Sequence, residues 1–224
     1  MRRLMQMLPI LAGLGLLSFV WSVPIQIAGG WHDYWDLAEP TDLPVFIFHL
    51  FQIAGLTAFT LVSFQVCTGT FMKLWEKLYG PGLYKFHAVS GLAILLFSLL
   101  HPLLLGVYLV MQQIDYREFA AQYPWQISLG PIVLTLLLVT VPTAAGTILW
   151  NKPYYRRNWH WIHLANYAVF LLVFLHSLNI GTDVSPTDSR LRPLWWTFFA
   201  IWLAGGLYRR VFRVVKEKNS GLDT

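Results

Sequence analysis

Long apolar stretches without charge alternate with short polar segments along the whole chain. Six stretches contain no Asp, Glu, Lys or Arg, and five of them exceed the roughly 20 apolar residues that a helix needs to cross a bilayer. The sixth has 16 residues, and its flanking Arg192, Arg209 and Arg210 can extend it by reaching the interface. The six stretches are 4–32, 43–72, 86–114, 119–151, 158–182 and 193–208.

This pattern predicts an all-α integral membrane bundle of six transmembrane helices. A composition with 56% hydrophobic and 12% charged residues excludes an ordinary soluble domain. We expect one six-helix transmembrane domain over 1–213 and a short polar tail over 214–224, with no recognisable internal repeat. The loops are short, which favours a compact up-and-down bundle. The expected helices are 4–27, 44–69, 86–111, 128–150, 159–180 and 194–213.

The Lys and Arg residues fall mainly on one side of this predicted bundle. With six spans, both termini share a side with the loops after the second and fourth spans, and 13 of the 16 Lys and Arg lie there. Because positive residues are enriched in cytoplasmic loops, we expect cytoplasmic termini and a multi-pass protein of the inner (cytoplasmic) membrane. This topology explains the net charge of +5, so the charge predicts contact with the lipid bilayer and no nucleic-acid partner.

Four histidines lie on two of the predicted spans at nearly equal spacing. His87 and His101 are on the third span, and His163 and His176 are on the fifth. Both spans run in the same direction, and the two spacings correspond to helical rises of about 21 and 19.5 Å. His87 is therefore level with His163, and His101 with His176. Two facing imidazoles can hold a haem iron from both sides, and two such pairs make a path for electrons through a membrane.

The spacing of the histidines matches their depths in the membrane better than it matches their directions around the helix axis. At about 100° per residue, the step of 14 from His87 to His101 falls about 40° short of whole turns, which a tilted helix absorbs. The step of 13 from His163 to His176 is about 140° off, and His160 in place of His163 fits no better. A π-bulge, a kink or differently oriented haems would be required in the fifth helix.

Cys67 is the only cysteine in the chain. A single cysteine excludes an intrachain disulfide, a Cys-ligated iron–sulfur cluster and the attachment motif of a c-type haem. Any haem must therefore be held by other ligands, and the four histidines are the candidates.

Two segments resemble a known family. The segment 87–101 (HAVSGLAILLFSLLH) is similar to the third helix of ferric reductase-like transmembrane domains, and 159–163 (WHWIH) continuing to His176 is similar to the fifth. The family includes ferric-chelate reductases, NADPH oxidases and the haem-binding subunit of the methionine sulfoxide reductase system. The resemblance implies two b-type haems, one carried by His87 with His163 and one by His101 with His176. Many relatives continue into a cytosolic FAD and NAD(P)H domain, whereas this chain stops after the sixth span.

Several cations are placed to bind haem propionates, which prefer Arg or Lys at the interface. Lys85, Arg156 and Arg157 lie near the inner histidine pair, and Arg190 and Arg192 near the outer pair. The positive-inside trend accounts for the inner group without any cofactor. Arg190 and Arg192 run against that trend, so a role in binding a propionate or an anionic ferric chelate is better supported for them.

The leading interpretation is a di-haem, b-type electron conduit, the membrane component of an oxidoreductase. Electrons would enter from a cytosolic or membrane flavoprotein reductase that holds FAD or FMN, and would leave to an external ferric chelate or a periplasmic redox protein. Two alternatives stay open. One is a single-haem membrane anchor of a periplasmic oxidoreductase. The other is a haem-free proton channel or transporter that uses His49, His101 and His176 as a relay.

Overall fold

A computed structural model describes the backbone of residues 2–27, 42–149 and 153–220, and the side chains of 10–26, 43–146 and 164–208. In those ranges the secondary structure is helical, with turns between the helices and no strand. The helices are α1 (Arg2–Ile27), α2 (Asp42–Thr70), α3 (Met72–Tyr79), α4 (Gly82–Met111), α5 (Tyr116–Gln122), α6 (Pro124–Leu149), α7 (Pro153–Ile180) and α8 (Arg192–Ser220).

Each of the six expected helices corresponds to a long helix of the structure, and α3 and α5 are short additions in the loops. Within the described residues, three segments are long and apolar enough to cross a membrane: Leu43–Thr70, Gly82–Met111 and Pro124–Gly146. Two further apolar segments, Ile10–Gln26 and Leu164–Ile180, are shorter. The protein is thus a membrane-embedded helical bundle, and the number of six spans stays a prediction.

Two helical hairpins form the main body of the bundle. The most extensive helix–helix contacts are those of α2 with α4 and of α6 with α7, and α4 packs on α6 to join the two pairs. The described parts of α4 and α7, the helices that carry the predicted ligands, share no extensive backbone contact. The space between α4 and α7 is therefore left to side chains and to whatever they hold.

Aromatic packing holds α7 and α8 against α2, and one part-buried hydrogen bond joins α8 to α7. Phe59, Phe170 and Trp195 are fully buried, and the Phe59 and Trp195 rings stack with centroids 4.5 Å apart. Trp195 Nε1 donates to Ser177 Oγ at 2.9 Å. Because lipid tails are as apolar as these side chains, close packing and interhelical hydrogen bonds stabilise such contacts in a membrane.

Candidate functional site

The imidazoles of His101 and His176 face each other across the bundle. Their ring centroids are 6.5 Å apart, and the ring planes are nearly perpendicular, at 80°. His101 lies about three turns before the end of α4, and His176 lies one turn before the end of α7. The structure therefore brings together the two histidines that the sequence predicted to share one level. They are called the outer pair below, after the side of the membrane predicted for them.

Both rings of the outer pair are anchored through Nδ1. His101 Nδ1 lies 3.0 Å from the main-chain oxygen of Phe51, and His176 Nδ1 lies 2.9 Å from that of Gln126. A carbonyl oxygen only accepts hydrogen bonds, so each Nδ1 carries the proton and donates. In the neutral ring the Nε2 atom is then unprotonated and has a free lone pair, which is the tautomer that a metal-binding histidine needs.

Gly55 makes room for the His101 ring. In an α-helix the residue four positions after a carbonyl lies beside it, so an imidazole that reaches Phe51 O must pass Gly55. A Cβ atom at position 55 would lie 2.7 Å from both Cε1 and Nδ1 of His101. The Phe51 ring stacks on the same imidazole with centroids 4.2 Å apart and planes 14° apart. The His101 ring is thus held by the carbonyl group and the ring of Phe51, and it has space because Gly55 has no side chain.

The second hairpin repeats this arrangement 75 residues later. In both hairpins the carbonyl residue precedes its histidine by 50 positions. Gly130 follows Gln126 by four residues, as Gly55 follows Phe51, and a Cβ at position 130 would touch His176 Cε1 at 3.9 Å. The outer pair therefore has approximate two-fold internal symmetry, which the sequence analysis did not detect because the surrounding residues differ.

His87 lies beside a second space, at the other end of the bundle. A cavity lies there between α2, α4, α6 and α7. Its lining is mostly apolar and includes small residues that leave room. The lining residues include His87, Gly69, Gly91, Ala144, Asn166 and Tyr167.

The partner of His87 Nδ1 is the hydroxyl group of Thr68, whereas the Nδ1 atoms of the outer pair have main-chain carbonyl groups as partners. Thr68 Oγ1 donates to Phe64 O at 2.9 Å, so its lone pairs are available to accept from His87 Nδ1, 3.5 Å away. Gln65 Nε2 donates to the main-chain oxygen of His87 and to Ser90 Oγ. The contact with Thr68 favours the same tautomer for His87 as for the outer pair, and at 3.5 Å it is a weaker interaction.

The side chain of His163 lies outside the described residues, as do those of His160, Arg156 and Arg157. The backbone of α7 is nevertheless α-helical throughout, so the π-bulge, one of the three alternatives for this helix, is not seen there. Position 163 lies one turn before Asn166 and Tyr167, both of which line the cavity. The pairing of His163 with His87 stays a prediction.

Arg190 and Arg192 hold the loop between α7 and α8. Arg190 Nη1 donates to Gln26 Oε1 of α1 at 2.9 Å, and Arg192 Nη1 donates to the main-chain oxygen of Ser185 at 2.6 Å. Their predicted roles in binding propionate or chelate stay predictions. Lys85 is exposed at the first turn of α4.

Sequence reasoning missed the groups that orient the imidazoles. Gln65 could have been found from the sequence, because burying a side-chain amide in the middle of a charge-free span costs free energy and such residues usually have a functional or structural role. The carbonyls of Phe51 and Gln126 could not have been found in this way, since every residue has one. Gly55 and Gly130 were indistinguishable from other helical glycines of the chain.

The donor set also limits what the outer pair can hold. In the part of the chain that the structure describes, no group of three or more His, Cys, Asp or Glu side chains comes together. Two imidazoles alone leave most positions of a metal to other ligands. A metal that brings its own equatorial ligands fits such a pair.

The fold and the site together define a class: a helical membrane protein with imidazoles that face each other across the bundle. The sequence model of the family described as "Ferric reductase like transmembrane component" matches residues 54–174, more than half of the chain. The protein belongs to this family, as the segments around His87 and His163 predicted. The matched range includes His101, and His176 lies just beyond it. No curated protein and no solved structure matches the chain.

Family membership has two consequences. The chain is a multi-pass membrane protein of a family whose function is transmembrane electron transfer, and domains of this family generally bind haem. The number of haems, their ligands, the partner and the acceptor are not given by the family.

Proposed function

We propose that the protein carries electrons across the membrane through two b-type haems, one between His101 and His176 and one between His87 and His163. The facing imidazoles of the outer pair carry this proposal, because both have a protonated Nδ1 and an Nε2 lone pair. Two neutral imidazoles on one iron give a low-spin centre that is suited to electron transfer and resists oxygen binding.

The residues of the outer pair fit a haem. Two metal–imidazole bonds of about 2 Å each, together with the two ring radii, amount to about 6.5 Å. The observed separation of the ring centroids is 6.5 Å. When bound, the haem supplies reversible one-electron chemistry. The protein's own residues set the tautomer of each ligand, exclude water and hold the rings at a fixed separation.

The inner site is supported by its cavity. His87 lines it from α4, and Asn166 and Tyr167, one turn after position 163, line it from α7. The apolar lining suits a porphyrin, and Gly69 and Gly91 permit close approach. Of the predicted cations near this site, Lys85, Arg156 and Arg157 are proposed to meet propionates.

The proposed direction is from the cytoplasm outward. Six spans with both termini cytoplasmic place 13 of 16 Lys and Arg inside. A flavoprotein with FAD or FMN would dock on this basic face and donate electrons. The external acceptor would be a ferric chelate or a redox protein, for which Arg190 and Arg192 provide positive charge.

One measurement separates this proposal from its alternatives: the haem-to-protein ratio of the purified protein, with its dithionite-reduced spectrum. We expect two b-type haems, one lost in His101→Ala and in His176→Ala, the other lost in His87→Ala and in His163→Ala. His49→Ala, a histidine on a neighbouring helix, should keep both. A ratio of one in the wild type would favour a single-haem anchor. A colourless folded protein would favour a proton relay and would refute the conduit.

A further inference from the structure

One buried acid has no part in holding the histidines. Asp183 lies in the loop between α7 and α8 and is only 7% exposed. Its Oδ2 accepts hydrogen bonds from Gln52 Nε2 at 3.3 Å and from Thr182 Oγ1 at 3.2 Å. Its main-chain oxygen accepts from Ser189 Oγ. In the described part of the chain it forms no ion pair, and hydrogen bonds are its direct contacts there.

Asp183 is connected to the outer pair through α2. Its partner Gln52 directly follows Phe51, whose carbonyl accepts from His101 Nδ1 and whose ring stacks on His101. Along the chain, Asp183 also lies seven residues after His176. A change of charge between the two imidazoles would therefore act on this carboxyl group, which is itself buried, and charges are less screened at buried groups than at exposed ones.

Among the residues that the structure describes, few charged groups face Asp183. His49, one turn before Gln52 on α2, is the group whose charge acts on it, and this lowers the pKa of the carboxyl group less than burial raises it. From its own loop and α8 come Asp188, which is exposed, and Arg190 and Arg192, which bind Gln26 and the Ser185 carbonyl. The half of α1 near this end, 14–27, has no ionisable side chain.

We propose that Asp183 binds one proton from the external side when an electron reaches the outer haem, so that electron arrival is coupled to proton uptake. The proposal rests on the function proposed above. The cytoplasmic donor loses one electron, the outer iron gains it, and one proton from external water binds the Asp183 carboxylate. When the electron passes to the external acceptor, which is reduced, the carboxyl group releases its proton.

The sign of the coupling follows from electrostatics. An added electron makes the protonated form of Asp183 more favourable, and by linkage the proton makes the reduced form more favourable. The midpoint potential of the outer haem should therefore fall as pH rises, between the carboxyl pKa values of the oxidised and reduced protein. The slope has an upper limit of about 59 mV per pH unit for one proton per electron. Outside that window the potential is independent of pH.

The test is a spectroelectrochemical titration of the full chain in detergent at a series of pH values, with the outer haem identified as the one missing in His176→Ala. We expect the sloping potential in the wild type and in Asp183→Glu, and a flat one in Asp183→Asn with unchanged haem content. Asp188→Asn, an exposed acid of the same loop, is the matched control and should keep the slope. A second readout is proton uptake upon reduction in unbuffered solution, which Asp183→Asn should lose.

The outcomes separate this proposal from the one on which it rests. Haem-loaded wild-type protein whose outer potential is flat over the whole range, or a slope that survives in Asp183→Asn, overturns the coupling alone. A slope lost in His49→Gln and kept in Asp183→Asn also overturns it, since His49 would then be the proton-binding group. Folded protein without haem overturns both proposals.

Discussion

The imidazoles of His101 and His176 lie 6.5 Å apart and nearly perpendicular, although 75 residues separate them in the chain. The orientation of each ring is set by groups outside its own residue. Each is turned by a carbonyl oxygen on the partner helix of its own hairpin, and each passes a glycine to reach it. The pair is thus a product of two similar hairpins that face each other, and the predictions below test its supports.

Replacing Gly55 by alanine should remove the outer haem. The new Cβ would lie 2.7 Å from two atoms of the His101 ring, so the ring must leave Phe51 O. We expect the haem-to-protein ratio to fall by about one, and the reduced spectrum to keep only the inner haem. Gly106→Ala on α4 is the control, because a Cβ there meets nothing within 4 Å. Equal haem loss in both variants would contradict the role of Gly55.

Thr68→Val should weaken the inner site without changing its shape. Valine has nearly the volume of threonine but cannot accept from His87 Nδ1. Loss of a partner that orients a metal ligand typically lowers affinity by about 10- to 100-fold. We expect that loss in a haem-competition titration, together with a higher inner midpoint potential, because His87 becomes a weaker donor to the oxidised iron. Thr68→Ser keeps the hydroxyl and should restore both values. An unchanged inner potential in the valine variant would speak against this hydrogen bond.

Asp183 should make the folded state less stable as pH rises. Burial raises the pKa of its carboxyl group above the ordinary value, ahead of the opposing effects of the Thr182 hydrogen bond and the charge of His49. The folded state therefore binds this proton more tightly, and the resulting stabilisation is complete at low pH and lost as pH rises through the raised pKa. Asp183→Asn should lose this dependence and melt at a higher temperature than the wild type at pH 8. A thermal-melt series from pH 4 to 8 measures it, and parallel curves would contradict the assignment.

The predicted topology can be tested with single cysteines. Cys67 is the only native one, so Cys67→Ala gives a clean background. In that background we expect Asp188→Cys to react with a membrane-impermeant maleimide in intact cells, and Lys77→Cys to react only after the membrane is opened. Both residues are exposed, so accessibility to solvent is not limiting. Labelling of position 77 in intact cells would contradict the predicted orientation.

The charge-free stretches alone determined the helical membrane class and the approximate helix bounds. Helices in lipid must satisfy their own backbone hydrogen bonds, so hydropathy and length are enough to find them. The sequence also placed His101 level with His176, since helical rise converts residue number directly into depth. The family resemblance around His87 and His163 was likewise visible in the sequence.

Only the tertiary structure decided how the imidazoles are held. The carbonyls of Phe51 and Gln126 and the space left by Gly55 depend on which helices pair and in what register, and helical periodicity contains no such information. For the same reason the angle between positions 163 and 176 appeared to be a defect. Asn166 and Tyr167, one turn after position 163, line the cavity beside His87, whereas His176 lies against His101, so positions 163 and 176 can serve different sites without sharing a direction. The depth of a residue in the membrane follows from its position along a helix, whereas the direction of its side chain depends on the helices packed around it.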